Sequence, residues 1–311
     1  MNDLLRASVI IPPRNRRALL MRTLDSLERQ DAAADEYEVL VVLDGTDDDS
    51  ETWLERRRPA HALRWVRQRQ GGLADARNTG ATHAAHDVLL FYDDDMLADR
   101  ALVLAHLSMH RSRDDVLVQG YYPMAPEYLK GGAAIAYDRS HRGAIAAMEA
   151  SPGGGVTIWG GNISIRKATF DRVGGFDPKN FREYGAEDTD FGLRAIAAGV
   201  PVVLAKQALA LHMRRVGYAS HRRQGFAEGI SLGKLERLHG TRLEAINGGG
   251  VGGAFDRVSG AIWAFPRIAD GLGHVLSGGM WLADRGMPAP VKLRMARAVH
   301  RFYKVGGLLH R

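Results

Sequence analysis

The first hundred residues alternate short β-branched runs with stretches of helical spacing, and this alternation restricts the fold more than any other feature. Ser8-Val9-Ile10-Ile11 is closed by Pro12-Pro13. Residues 17–29 place Leu20, Leu24 and Leu27 at helical spacing. The apolar run 38–43 ends at Asp44-Gly45. Residues 48–58 read as a helix with acids first and arginines last, as the helix dipole favours. Residues 63–66 read as a short strand, 73–85 as a small-residue helix, and 88–92 as a strand ending at Asp93-Asp94-Asp95. Such alternation builds an α/β fold, a Rossmann-like, doubly wound, mostly parallel sheet. Ligands of these sheets sit outside the carboxyl ends of the strands. Pro12-Pro13-Arg14-Asn15, Asp44-Gly45 and the triple Asp should therefore converge on one crevice.

The pattern loosens after residue 100. Residues 101–110 read as helix and 116–122 as strand. Residues 123–155, rich in Gly, Ala and Pro, are expected to be an irregular, lid-like segment. Order returns at residues 158–166, followed by residues 167–173 and the turn Gly174-Gly175-Phe176-Asp177. A helix should start near Glu187, with a strand at 202–204 and a further segment ending at His212. "NGGGVGG" at 247–253 reads as a linker. Beyond it, Val291, Met295, Ala298, Val299 and Phe302 share one helical face. Lys292, Arg294, Arg297, Arg301 and Lys304 occupy much of the rest, and no acid appears from 291 to 311. A helix of this kind either lies on an anionic membrane surface or packs on protein with a solvated basic face.

Composition narrows the function classes. The chain has 311 residues, 45% hydrophobic and 25% charged, enough for one large core or two smaller ones. The absence of cysteine excludes disulfides and thiolate metal sites and is compatible with a reducing compartment. No signal-peptide pattern precedes the first strand, and no apolar run approaches the ~18 residues that span a bilayer. The expected location is cytoplasmic, with residues 291–304 a candidate contact to the inner face of the membrane. The net charge of +6 comes without zinc-finger spacing or aromatic–basic interleaving. Nucleic acid is therefore not the expected partner, and anionic ligands or a membrane surface are.

Five clusters carry candidate chemistry, each with a plainer reading. The triple Asp suits Mg²⁺ or Mn²⁺, or is a hydrated acidic turn. Arg77, inside "GGLADARNTG", offers paired donors to a diphosphate, or is an ordinary surface arginine. Small neighbours (Ala74, Ala76, Gly80) would let its helix pack close to the sheet. Trp159-Gly160-Gly161-Asn162 combines glycines that admit close approach with an aromatic face for a sugar, or is a core Trp beside a bulge. Glu187-Asp188 is a helix cap or holds a general base. His212 is structural or a second metal ligand.

In order, "SVIIPPRNR", "EVLVVLDGTDDDS", "GGLADARNTG", "DVLLFYDDDML", "WGGNISIRKATFDRVGGFD", "YGAEDTDFGLRAIAAG" and "ALH" resemble the family-two glycosyltransferases of GT-A fold over about residues 7–215. The resemblance implies inverting transfer of a sugar from a nucleoside-diphosphate sugar to an acceptor hydroxyl on a glycan, a lipid-linked molecule or a small molecule. It implies that Pro12, Pro13, Arg14, Asn15 and Asp44 hold the nucleotide base, that Arg77 and Asp93 contact the nucleotide, and that Asp94 reaches the ribose. Asp95 and His212 would bind Mn²⁺ or Mg²⁺. Asp188 would be the catalytic base, with Glu187, Trp159, Gly160, Gly161 and Asn162 shaping the donor and acceptor pocket. Pro13 and Arg14 replace the small residue and aromatic often found there, so guanosine and thymidine stand beside uridine, the family's usual base. The implied organisation is a glycosyltransferase domain at 1–246 (donor half about 1–122, acceptor half about 123–246), the linker 247–253, and a basic helical extension at 254–311. Three rivals make other demands. A nucleotidyltransferase should carry a Gly-rich phosphate loop after the first strand, and "PPRNRR" has no glycine. A nucleotide-sugar binder without turnover would not need Asp188. A membrane-surface protein would place its function in the basic tail.

Overall fold

The computed structural model describes residues 5–150, 158–182, 185–240 and 253–310. Four parallel strands, β1 (Ala7–Ile11), β2 (Tyr37–Asp44), β3 (Ala62–Gln68) and β4 (Val88–Tyr92), lie in the order β3-β2-β1-β4. Helices α1 (Arg17–Leu27), α2 (Ser50–Leu54) and α3 (Leu73–His83) connect them. The register pairs Val9 with both Val39 and Leu90, so the polar segments after each strand emerge at one edge. Period-two alternation sorts the strand side chains. Val9, Ile11, Val39 and Val41 join Leu20, Leu24 and Leu27 of α1 on one face, while Ile10, Val42, Leu89 and Phe91 form the other. The expected close packing of α3 is present: a Cβ on Gly80 would collide with Ile10.

The sheet continues through β5 (Met96–Ala98), β6 (Leu117–Tyr121), β7 (Asn162–Arg166) and β8 (Val202–His212), with α4 (Leu102–Ser112), α6 (Lys167–Val173) and α7 (Glu187–Ala197) packed around it. The full order is β3-β2-β1-β4-β7-β6-β8-β5. β7 runs antiparallel to β4, with Asn162 opposite Tyr92, which brings Gly160-Gly161 beside the triple Asp. Several expectations change in extent. The helix expected at 48–58 is only Ser50–Leu54, the strand expected at 63–66 runs over Ala62–Gln68, and in the ordered stretch 158–166 the strand begins at Asn162. The two segments expected at 202–212 are one strand, whose register with β6 shifts at Gly120/Tyr121.

Of the irregular segment expected at 123–155, residues 123–150 are instead mostly helix, and 151–155 lie outside the described residues. A 3₁₀ turn at Pro126–Tyr128 leads into α5 (Gly131–Ala150). Alanine is the strongest helix former, and Ala133, Ala134, Ala136, Ile145 and Met148 are buried. Interspersed glycine and alanine hid this face from a reading based on large apolar residues.

Contacts divide the chain into one unit of Met1–Pro123 with Ile145–Met213 and a second of Met124–Ala144 with Arg214–Arg311. Residues 214–240 thus group with the C-terminal helices, whereas composition set a boundary at 246. In the second unit α8 (Tyr218–His239), α9 (Ala254–Trp263), α10 (Pro266–Gly286) and α11 (Ala289–Leu309) share a core with the start of α5. Glycines let α8 and α11 touch along their backbones: a Cβ on Gly225 would stand 2.6 Å from the His300 carbonyl. Val299 and Phe302 of α11 are buried in that core, Arg301 pairs with Asp256 at 2.6 Å and Lys304 with Glu228 at 2.7 Å. Part of the apolar face of residues 291–304 is therefore taken up by protein, whereas Val291 and Ala298 stay exposed and Met295 is half-buried. The linker 247–253 lies outside the described residues except for Gly253. No helix among the described residues is long and apolar enough to cross a membrane.

Candidate active site

Arginines offset the repulsion within the triple Asp. Asp93 is half-buried, whereas Asp94 and Asp95 are buried. Arg16 Nε donates to Asp94 Oδ2 at 2.9 Å, its Nη2 donates to the other Asp94 oxygen, and its Nη1 donates to Asp95 Oδ2 at 3.1 Å. Arg77 Nη2 donates to Asp93 Oδ1 at 3.1 Å. Burial pushes the Asp94 carboxyl up to about 7, with Arg16 pulling against it. Asp94 is thus an inward anchor, and the ribose contact implied for it is not presented to solvent. Arg16 was not among the expected site residues. Its signal was a basic pair directly after the first strand, in the same segment as Asn15.

Asp95 and His212 do come together. β5 and β8 pair antiparallel with Met96 opposite His212, and Met213 N–H donates to the Asp95 carbonyl at 2.8 Å. His212 Nε2 lies 3.2 Å from Asp95 Oδ1. Among the described residues no group of three or more His, Asp or Glu surrounds a common cation position. The pair nevertheless offers a carboxylate oxygen and an imidazole nitrogen, donors that Mn²⁺ accepts. Divalent ions at phosphate sites characteristically complete their shell with water and substrate oxygens. The donor set is compatible with the implied metal on that basis.

Arg77 occupies a different place from the one expected. It is 2% exposed, and Nη1 donates to Glu187 Oε1 at 2.9 Å while Nη2 holds Asp93. A Cβ on Gly160 would stand 2.5 Å from Arg77 Nη1, and one on Gly161 2.5 Å from Asp93 Oδ2. The close approach read from these glycines is thus made to the protein's own ion pair. Burial and these partners remove Arg77 from direct diphosphate contact. It ties α3, the end of β4 and the start of α7 together.

That tie separates the two acids at the start of α7. Glu187 is buried against Arg77, with Gly185 N–H donating to its Oε2 at 3.2 Å. Asp188 is half-buried. Its Oδ2 accepts from Gly160 N–H at 2.9 Å and its Oδ1 from Thr189 N–H at 2.7 Å. Burial pushes the Asp188 carboxyl above its ordinary range, while Arg77 and the two amides oppose the shift. Burial, then the Asp188 charge, push Glu187 in the same direction.

The remaining expected residues divide as well. Asp44 is buried, accepting from Gln68 Nε2 at 3.0 Å, Gly71 N–H at 2.7 Å and Gly72 N–H at 3.0 Å. It fixes the turn before α3, where Gly72 has φ 96° and a Cβ would collide with the Arg182 carbonyl. The Pro13 carbonyl accepts from Thr46 Oγ1 at 3.2 Å, and Asn15 Oδ1 accepts from Asp47 N–H at 3.0 Å. Pro12 is half-buried and Arg14 exposed. Beside them, at the carboxyl ends of β2 and β3, lies a cleft of about 470 Å³ lined by Gly45, Thr46, Asp47, Arg67, Gln68 and Arg69. Trp159 is half-buried, its N–H held by Gln119 Oε1 at 2.9 Å. Asn162 is fully buried, bonded to His106 Nε2 at 2.9 Å and to the Ala208 carbonyl at 2.9 Å. Its side chain belongs to the sheet interior.

The model described as Glycosyl transferase family 2 matches residues 8–174, and one described as N-terminal domain of galactosyltransferase matches residues 146–220. Validoxylamine A glucosyltransferase of Streptomyces hygroscopicus subsp. jinggangensis is 30% identical over 65% of this chain and 54% of its own length. Chondroitin synthase of Pasteurella multocida is 23% identical over 72% of this chain and 26% of its own length. The chain spans about half the length of the validoxylamine A glucosyltransferases it matches. Among solved structures, the mannosyltransferase PcManGT from Pyrobaculum calidifontis in complex with GDP-Man and Mn²⁺ superposes with a TM-score of 0.64 at 20% identity, over 98% of this chain and 88% of that one. S. aureus TarS 1-349 in complex with UDP-GlcNAc gives 0.55 at 18% identity, over 99% and 92%. At these identities the structural likeness is one of fold, the GT-A fold.

Proposed function

Because the chain belongs to glycosyl transferase family 2, we propose that it moves a sugar from a nucleoside-diphosphate sugar to an acceptor hydroxyl with inversion, using Asp188 as general base. The observation that carries this reading is the carboxylate of Asp188, half-open, aimed by the Gly160 amide and raised in basicity by burial. The acceptor oxygen attacks C1 of the sugar as its proton passes to Asp188. The bond from C1 to the diphosphate oxygen breaks on the opposite face, and the nucleoside diphosphate leaves. Because Asp188 is fixed from both sides, its proton-accepting oxygen needs little reorganisation in the transition state. The nucleoside occupies the cleft at the ends of β2 and β3, whose volume suits a small ligand. Asp95 and His212 would hold a divalent cation, which would act as a Lewis acid towards the leaving diphosphate. Trp159 lends its exposed portion to the sugar.

The test is calorimetric titration with UDP, GDP, dTDP and CDP, each with and without Mn²⁺. The solved neighbours carry both guanosine and uridine donors, so neither base is presumed. One nucleotide should bind, more tightly with metal. Asp95→Ala should remove the metal-dependent part of that binding. A folded protein that binds none of the four overturns the reading.

A further inference from the structure

The apolar residues of α10 divide between two faces. Ala269, Gly273, Met280 and Ala283 point into the helical core. Ile268, Val275 and Leu282 point to solvent, 62%, 70% and 61% exposed. They recur every seventh residue, so they lie within about 20° of one line along the helix. Gly271, Gly278 and Gly286 lie beside that line, and a Cβ on any of them would meet nothing within 4 Å. The result is an uncharged, solvent-facing stripe about 21 Å long between Ile268 and Leu282. A water-exposed stripe of large aliphatic side chains calls for a partner.

The charges beside the stripe say which partner. Arg267 and Arg285 stand along one edge of it, both exposed. The Arg285 guanidinium stacks over the Trp281 ring at 3.5 Å, leaving Trp281 43% exposed. Of the two acids on α10, Asp284 accepts from Gly132 N–H at 2.8 Å and from the Tyr218 hydroxyl at 2.7 Å. Asp270 is exposed and lies about 140° around the helix from Val275, just beyond Trp281 at about 120° on the same side. Aliphatic residues in the middle, with tryptophan and arginines at the edge, are the layout of a helix lying in the headgroup region of a membrane. A second copy paired antiparallel suits it less, since that two-fold pairing of the two faces would bring their arginine edges together.

We propose that α10 docks the protein in the plane of an anionic phospholipid bilayer, with Ile268, Val275 and Leu282 entering the acyl boundary and Arg267 and Arg285 on the headgroups. The contact lies on α10 and not on α11, where Val299 and Phe302 are buried in the helical core. It is independent of the catalytic reading.

The test is flotation of the full chain with vesicles of phosphatidylcholine alone and mixed with phosphatidylglycerol, at low and high salt. The protein should partition at least about tenfold more strongly onto the mixed vesicles, and salt should weaken it. The double variant Val275→Ser, Leu282→Ser should lose at least about tenfold in partitioning. Both side chains are solvent-exposed, so the variant should keep the wild-type circular dichroism and melting temperature. Brominated lipid should quench tryptophan emission in the wild type and not in Trp281→Phe. Three results overturn the proposal: no flotation of the wild type, equal flotation of the double variant, or quenching unchanged in Trp281→Phe. A dimer detected by light scattering in the wild type and lost in the double variant would assign the stripe to a second copy and overturn it too.

Discussion

Asp188→Asn should lower glycosyl transfer by about 10²–10⁴-fold, the range for removing a positioned general base, while nucleotide affinity stays within about twofold. The substitution keeps the shape of the side chain. Its amide oxygen can still accept from Gly160 N–H, and the pair between Arg77 and Glu187 is untouched. What disappears is the capacity to take the acceptor proton. The wild-type rate should show an acid limb, because transfer needs Asp188 ionised. Burial moves that limb above the ordinary carboxylate value of 3.8. The rate therefore rises with pH through the shifted pKa and falls as pH drops through it. The measurement is nucleoside-diphosphate release with the donor base that calorimetry identifies. Full transfer by Asp188→Asn would remove the base from this residue, and loss of nucleotide binding would show that its role is structural.

The parts of the fold that were legible in the sequence are those whose signals are local. β1, β2 and β4 are β-branched or apolar runs ended by proline, glycine or aspartate, whereas β3 (ALRWVRQ) is marked only by its short run at 63–66. Their parallel arrangement follows from the helices between them, and the convergence of the three polar ends follows from the arrangement. The start of α7 at Glu187 also matched, with Ala186 marking that boundary by its left-handed backbone. α5 was not legible because its buried face is built largely from alanine.

Side-chain partnerships were less legible because the partners are distant in sequence. Arg16 is 78 residues from Asp94, and Arg77 is 110 from Glu187. The motif at residues 71–80 announces an arginine near the site but not that it faces inward. Asn162 stands beside two glycines that do lie at the site, yet strand alternation turns it into the interior towards His106. Asp95 and His212, named together from the resemblance, lie 3.2 Å apart, an association that no local pattern in the chain contains.

The inward position of Arg77 sets the second large effect. Arg77→Met should destabilise the protein by about 3–5 kcal/mol, the usual result of removing one partner from a buried ion pair. Methionine fills much of the volume, so the loss is chiefly electrostatic: Glu187 stays buried without its cation, and Asp93 loses a donor. Adding Glu187→Gln should recover a substantial part of the loss, because an uncharged amide in that position has less to desolvate. Gly160→Ala acts on the same contact from the other side, since its new methyl needs the space held by the guanidinium. Denaturant midpoints at constant m-value measure all three. If Arg77→Met loses less than about 1 kcal/mol, the range of exposed pairs, Arg77 is not a buried strut. The pair would then open readily in solution, and Arg77 would regain the diphosphate contact that its sequence motif implies. Recovery in the double variant would instead mean that the loss comes from leaving the Glu187 carboxylate buried without its cation.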